Sequence, residues 1–219
     1  MQLSQLINRF RIEANDKVEP YFIDDDSVTD WLNDAVNEAC IRGRLLHESN
    51  VSISVQDTKS IYSLSKSIYE ITRICFIANN GEQSNFLKLV STGELDRIYC
   101  NDWVNKKGRP EYAVQTDTKI RLVPQPDSNG VLQIEGYRVP LNLMSSDSDE
   151  PEINSIHHVY LIQWVLHKAF SVVDAEFFDP NRAALAEQAF TDYFGMRPDS
   201  DLRRITREDV LHHVQPFMP

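Results

Sequence analysis

Six histidines and a run of carboxylates are the side chains from which this chain could build reactive chemistry. His157 and His158 are adjacent, so on a helix they face different directions and cannot both grip one metal ion from one face. His167 falls on a face similar to that of His158, but about two and a half turns farther along the axis. With Asp174 these three histidines are the set on which a metal-dependent hydrolase could be built, yet no H-E-x-x-H or related spacing is present. Asp147, Asp149, Glu150 and Glu152 lack the glycine and distal glutamate of an EF-hand loop and read as a solvated acidic loop. No G-x-S-x-G, phosphate-cradling glycine loop or dinucleotide fingerprint occurs, and His212 and His213 lie in a tail that would hold a catalytic pair poorly. Cys40, Cys75 and Cys100 are odd in number and far apart, which predicts reduced, mostly buried thiols and neither a disulfide framework nor a zinc knuckle. The expectation is a protein that is not an enzyme, with no catalytic residue, no cofactor and no metal.

The elements that would position any site follow from periodicity. Leu3, Leu6, Ile7, Phe10 and Ala14 recur at helical spacing, and Val28, Trp31, Leu32, Ala35, Val36 and Ala39 make a second apolar stripe. Ser27 and Asp30 read as a capping box at the start of that second helix, preceded by Asp24, Asp25 and Asp26 at its positive end. From residue 51 the period becomes 2: Val51, Ile53 and Val55 alternate with polar residues, and "SIYEITRICFIA" is long enough for a central strand. Ser91 and Glu94 repeat the capping pattern before a short helix. In "TKIRLV", Ile120 and Leu122 point one way while Lys119 and Arg121 point the other, and Pro124 and Pro126 end the strand. "DSNG" reads as a hairpin turn with "VLQIEGYR" returning as the partner strand. The segment "IHHVYLIQWVLHKAFSVVDAEFF" is apolar nearly all round, with Ser155 as its cap, and belongs inside a helical core or at a subunit contact. Asp179 and Pro180 open a last helix that Gly195 stops.

The predicted fold is therefore α+β. Helices near residues 2–14, 27–47, 155–178 and 180–194 form a helical core from residues 1–50 and 141–195, interrupted by an antiparallel β domain over 51–140 with one short helix. Residues 196–219 form an extended C-terminal tail in which the apolar residues have no evident core of their own. Arg203, Arg204, Ile205, Arg207, Leu211 and Phe217 of that tail are the candidate partner-binding residues, ordering on contact with a neighbour. Lys119 and Arg121, on the solvent face of their strand, are the candidate contact surface of the β domain.

Net charge sharpens the choice of partner. At −11 the chain lacks the basic balance of a protein that grips DNA from outside, though an acidic wall can line a path along which DNA slides. No apolar run reaches the length a membrane span needs, and the first residues show helical spacing in place of a signal-peptide core, so a cytoplasmic protein without membrane contact is expected.

The order of motifs adds a resemblance. "DWLNDAVNEA", "IYSLSKSIYEITRI", "GRPEYAV", "IRLVPQPDSNGVLQIEGYRVP", "DEPEINSIHHVYLIQWVLHKAFSVVDAE" and "RAALAEQAFTDYFG" follow one another between roughly residues 25 and 195. In that order they resemble the head-to-tail adaptor (connector) proteins of tailed bacteriophages. The resemblance implies a structural virion protein of the neck, made in the host cytoplasm and assembled as a homo-oligomeric ring, typically a dodecamer. Its implied partners are the portal protein above and the tail nozzle or tube proteins below, with DNA only as passing cargo. It also implies a C-terminal segment that reaches into the portal, which would fall on residues 196–219, although this tail carries no motif of the family. A tail-tube or tail-completion protein of the same particle is the other assembly role open to such a chain, and the hydrolase described above is the enzymatic alternative.

Overall fold

A computed structural model describes residues 1–79, 81, 86–100, 102–173 and 177–198. Along the chain run α1 (Leu3–Ala14), α2 (Asp25–Gly43), β1 (His47–Val55), β2 (Ile61–Ser63), β3 (Ile68–Ala78) and β4 (Lys88–Leu89). After α3 (Thr92–Tyr99) come β5 (Tyr112–Gln115), β6 (Lys119–Val123) and β7 (Gly130–Arg138). A 3₁₀ turn (Ser155–His157), α4 (His158–Phe170) and α5 (Pro180–Phe194) complete the described elements. The fold class is α+β, as the patterning predicts. The chain divides into a helical unit, Met1–His47 with Arg138–Arg197, and a β unit built on Glu48–Tyr137.

In the helical unit, α4 is the element the others cover. His158, Leu161, Ile162, Trp164, Val165, Leu166, Ala169 and Phe170 are all buried, and α1, α2 and α5 pack around them. A helix apolar on nearly every side is stable only when enclosed, so the surrounding helices each contribute one stripe. These stripes include Leu6 and Phe10 of α1, Leu32 and Ala39 of α2, and Phe190 and Phe194 of α5. The segment predicted as one helix over 155–178 begins as a 3₁₀ turn, and its α-helical part stops at Phe170. The carbonyl of Phe170 accepts from the backbone N–H of Asp179, which turns the chain into α5. The cap before the 3₁₀ turn is Asn154 and not Ser155, because the Asn154 side chain is the one that accepts from the Ile156 N–H. Likewise α2 starts two residues earlier than predicted and ends at Gly43, with Asp24 as its cap: its Oδ1 accepts from Ser27 N at 2.6 Å. Three successive aspartates at a helix start all suit the dipole, so composition alone does not choose which one caps. At α5 the expected Asp179 cap, Pro180 first position and Gly195 stop are all present.

Two polar clusters fasten this unit. Arg11 is buried beside Asp16, with 2.5 Å between Nη1 and the carboxylate, and its Nη2 reaches the Ile23 carbonyl at 2.7 Å and Asp25 at 2.5 Å. Tyr21 covers the guanidinium at 3.8 Å, so the whole α1–α2 connection folds around one cation. At the other cluster Arg42 donates to Glu38 at 3.1 Å and to Thr191 of α5 at 3.0 Å while lying over the rings of Trp164 and Phe190. Glu38 also accepts from Arg197.

The β unit consists of two sheets, ordered β1-β7-β3 and β2-β6-β5-β4. In the second, β6 runs antiparallel to both β2 and β5, whereas β4 is parallel to β5, so the sheet is mixed. Ile71, Ile74 and Phe76 of β3, Ile120 and Leu122 of β6 and Leu132 and Ile134 of β7 share one core. This corrects the expected hairpin: β6 and β7 do not pair but lie in different sheets. Pro124 and Pro126 interrupt the ladder, and Gly108 N–H donates to Gln125 O while Gln125 N–H donates to Lys106 O, which holds the connection to another segment. Gly130, the last residue of "DSNG", does not have the positive φ of a hairpin turn; what it supplies is closeness. A Cβ there would sit 2.2 Å from the Ile77 carbonyl oxygen, and one at Gly136 would sit 2.3 Å from that of Glu70. β7 is thus the middle strand of its sheet, and β3, expected to be central, lies at the end of the order.

Both polar clusters can be tested by stability. Arg11→Ala leaves Asp16 buried without its cation and is expected to cost about 3–5 kcal/mol in urea unfolding. For Glu38, burial pushes the carboxyl up, but its bonds to Arg197 and Arg42 outweigh this and hold it below the usual 4.5. A group with a depressed folded-state pKa stabilises above its unfolded value and loses that contribution as pH falls through the folded one. Glu38→Gln should therefore cost about 1–2 kcal/mol at neutral pH, with the gap to the wild type closing as pH falls through the lowered titration of the Glu38 carboxyl.

Candidate interaction surfaces

The three described histidines of the proposed metal set each meet a different partner. His158 is buried, with Nε2 3.0 Å from the Ile153 carbonyl and Nδ1 2.8 Å from the Met1 amino nitrogen. The carbonyl can only accept, so Nε2 carries the proton. His157 Nδ1 lies 3.1 Å from the Tyr193 hydroxyl, and burial, helped by nearby His158, lowers its pKa. His167 Nδ1 bonds to the Ala183 carbonyl at 3.0 Å, which ties α4 to α5. These rings fasten helices and do not converge; Asp174 lies outside the described residues. Among the described residues no group of three or more histidine, cysteine, aspartate or glutamate side chains is placed to hold a metal ion. Cys40 and Cys75 are buried as expected, whereas Cys100 is exposed. Burial, with the Glu152 charge adding to it and Arg138 opposing, pushes the Cys40 thiol up to about 12, so it is no nucleophile.

Lys119 and Arg121 border a surface with more shape. Arg121 of β6 is paired in register with Ile61 of β2 on one side and Val114 of β5 on the other, which sets the three in a row across the sheet. The alternate residues Ile120 and Leu122 enter the core, so the row must face the opposite way. Trp103, just beyond α3, closes this face: its indole N–H donates to Asp96 of α3 at 2.6 Å, and the Arg121 guanidinium lies 5.3 Å from its ring centre. With Thr92 and Thr116 these residues line an open groove of about 330 Å³, apolar at Ile61, Val114 and Trp103 and edged by Lys119 and Arg121. Sequence alternation put Lys119 and Arg121 on the solvent face; the Trp103 wall follows from the α3 fold-back, for which only the Ser91 cap gave a signal.

In the helical unit, the connection from Pro140 to Asn154 carries the acidic run. Asp149 is a turn former: its carboxylate accepts from Ser145 N and Ser146 N, both at 2.8 Å, and these bonds lower its pKa. Glu152 pairs with Arg138 and accepts from Leu141 N at 3.0 Å. Asn33 of α2 holds Met144 by both its backbone N–H and its carbonyl, at 2.9 and 3.0 Å. With these anchors the loop presents Leu141 and Leu143 at 61% and 67% exposure, alongside the exposed Asp147 and Glu150. Arg203, Arg204, Ile205, Arg207, Leu211 and Phe217 of the tail lie outside the described residues.

The fold and these surfaces define a two-unit α+β protein whose histidines at 157, 158 and 167 are each bonded to a separate group and whose β unit bears an apolar groove with a basic edge. The chain belongs to the SU10 adaptor protein family, whose model matches residues 1–211. This agrees with the resemblance to phage head-to-tail adaptors carried by the motif order. Among curated proteins no sequence matches the chain. No helix among the described residues is long and apolar enough to cross a membrane.

Proposed function

We propose that this protein is a structural, non-enzymatic head-to-tail adaptor of the virion. In this reading it docks as a ring on the portal vertex and joins the capsid to the tail. The observation that carries the proposal is membership of an adaptor family over nearly the whole chain. Two structural features support it. The histidines that could have served a hydrolase are used in packing, His167 tying α4 to α5 and His158 bonding to the Ile153 carbonyl. The exposed groove and the exposed acidic loop each sit on a well-anchored framework, as rigid-body docking favours. Side-by-side repetition of one chain around an axis uses two different surfaces on each copy, and these units offer two of distinct character. The net charge of −11 suits a conduit from which DNA must release. The tail beyond residue 198, with Arg203, Arg204, Ile205, Arg207, Leu211 and Phe217, is the segment assigned to the portal, and the tail proteins would meet the opposite side of the ring.

Imaging of purified protein mixed with portal rings is expected to show one added symmetric layer; bare portal rings at saturating protein would refute the docking. The tail assignment has its own check. Because Arg197 bonds to Glu38, truncation should follow Pro198. The shortened chain is expected to melt within a few degrees of the full one while losing portal binding by at least about tenfold. Loss of the fold instead would make the tail part of the core.

A further inference from the structure

We infer that the groove of the β unit receives the 141–150 loop of a neighbouring copy of this chain, as the contact that repeats around the ring. The inference rests on the ring reading above and names its two faces. The groove asks for a ligand with apolar side chains to meet Ile61, Val114 and Trp103 and with carboxylates to meet Lys119 and Arg121. In a chain of net charge −11 many segments are acidic, but the loop joins both requirements: Leu141 and Leu143 project from the same short anchored stretch that exposes Asp147 and Glu150. Exposed leucines on a loop that Asn33, Asp149 and Glu152 hold in place are costly to leave in water and lose little freedom on docking. Trp103 and Arg121 are residue types that dominate binding energy where they meet a partner, and here one is stacked on the other at the groove wall.

The two faces differ, so a copy that offers its loop to one neighbour can take a loop from another in its own groove. Such a heterologous contact repeats in one direction, and it closes into a ring when the rotation permits. The charges reversed in the test lie outside the loop's own hydrogen bonds. Asp149 and Glu152 carry its hydrogen bonds, whereas Asp147 contributes only its backbone carbonyl to the first turn of α1 and Glu150 lies 3.8 Å from the Met1 amino group.

The test is sedimentation of the full chain over a concentration series at physiological ionic strength, where screening leaves contact pairs to decide. Wild-type protein is expected to self-associate, and both Lys119→Glu/Arg121→Glu and Asp147→Lys/Glu150→Lys are expected to weaken association by about tenfold or more. An equimolar mixture of the two variants should recover it, because reversed groove then meets reversed loop and native meets native. Circular dichroism of each variant confirms the fold, and recovery in the mixture cannot come from a misfolded chain. A wild type that stays monomeric or stops at a dimer at every concentration, reversals that change nothing, or a mixture that fails to recover would each overturn the contact. Portal binding separates this from the adaptor reading. If both variants still add a complete layer to portal rings, the adaptor role stands and this contact falls. If no protein adds a layer but the mixture recovers association, the contact stands and portal docking falls.

Discussion

The enclosure of α4 is the constraint from which the helical unit follows. A helix with apolar residues on nearly every side has no face to offer water, so α1, α2 and α5 must each contribute a stripe. Their polar residues are then forced outward or into bonds that hold one helix to another. His167 and Arg42 act in this second way, while His158 and Asn33 hold the non-helical segments at Ile153 and Met144. Each would look like a reactive group in a list of residue types, and each is consumed by packing. Burial of a polar side chain is tolerable only when its bonds are made, so the more completely α4 is covered, the fewer such groups remain for chemistry.

What the sequence made legible divides by range. Periods of 3.6 and 2, the Asp179–Pro180 start and the Gly195 stop are local, and they reappear as α1, α2, β1 and α5. The alternation of Lys119 and Arg121 with Ile120 and Leu122 is local too, and it placed the groove's basic edge on the correct face. What failed depended on distant partners. "DSNG" has the residues of a hairpin turn, but β7 finds β1 and β3, because two glycines let its backbone approach that of β3 more closely than any side chain would allow. Arg11 borders the apolar stripe of α1, and nothing local names the partners, Asp16, Ile23 and Asp25, that close around it. Trp103 becomes a wall only once α3 has folded back over β5 and β6.

The β unit inverts the economy of the helical one. Its sheets share a core on their inner faces, and β6 spends Ile120 and Leu122 there, which leaves the other face of the same strand free to carry Arg121 between Ile61 and Val114. A strand shows two faces with no change of conformation, so one element can stabilise a fold and present a surface at once. That is why a segment without reactive groups can still be specific: its register fixes which cation stands beside which apolar residue.

Charge then decides what kind of assembly such surfaces can make. Copies carrying −11 repel one another at long range, but at physiological ionic strength that repulsion decays within about 8 Å. Association is left to short-range matching, and an acidic chain has few places where a neighbour's carboxylates are welcome. A basic-edged groove is one such place, and because it differs from an acidic surface, one copy can engage two neighbours at once, one through each surface. Acidity that discourages random contact and a cationic groove that permits a directional one are together compatible with head-to-tail repetition of the chain.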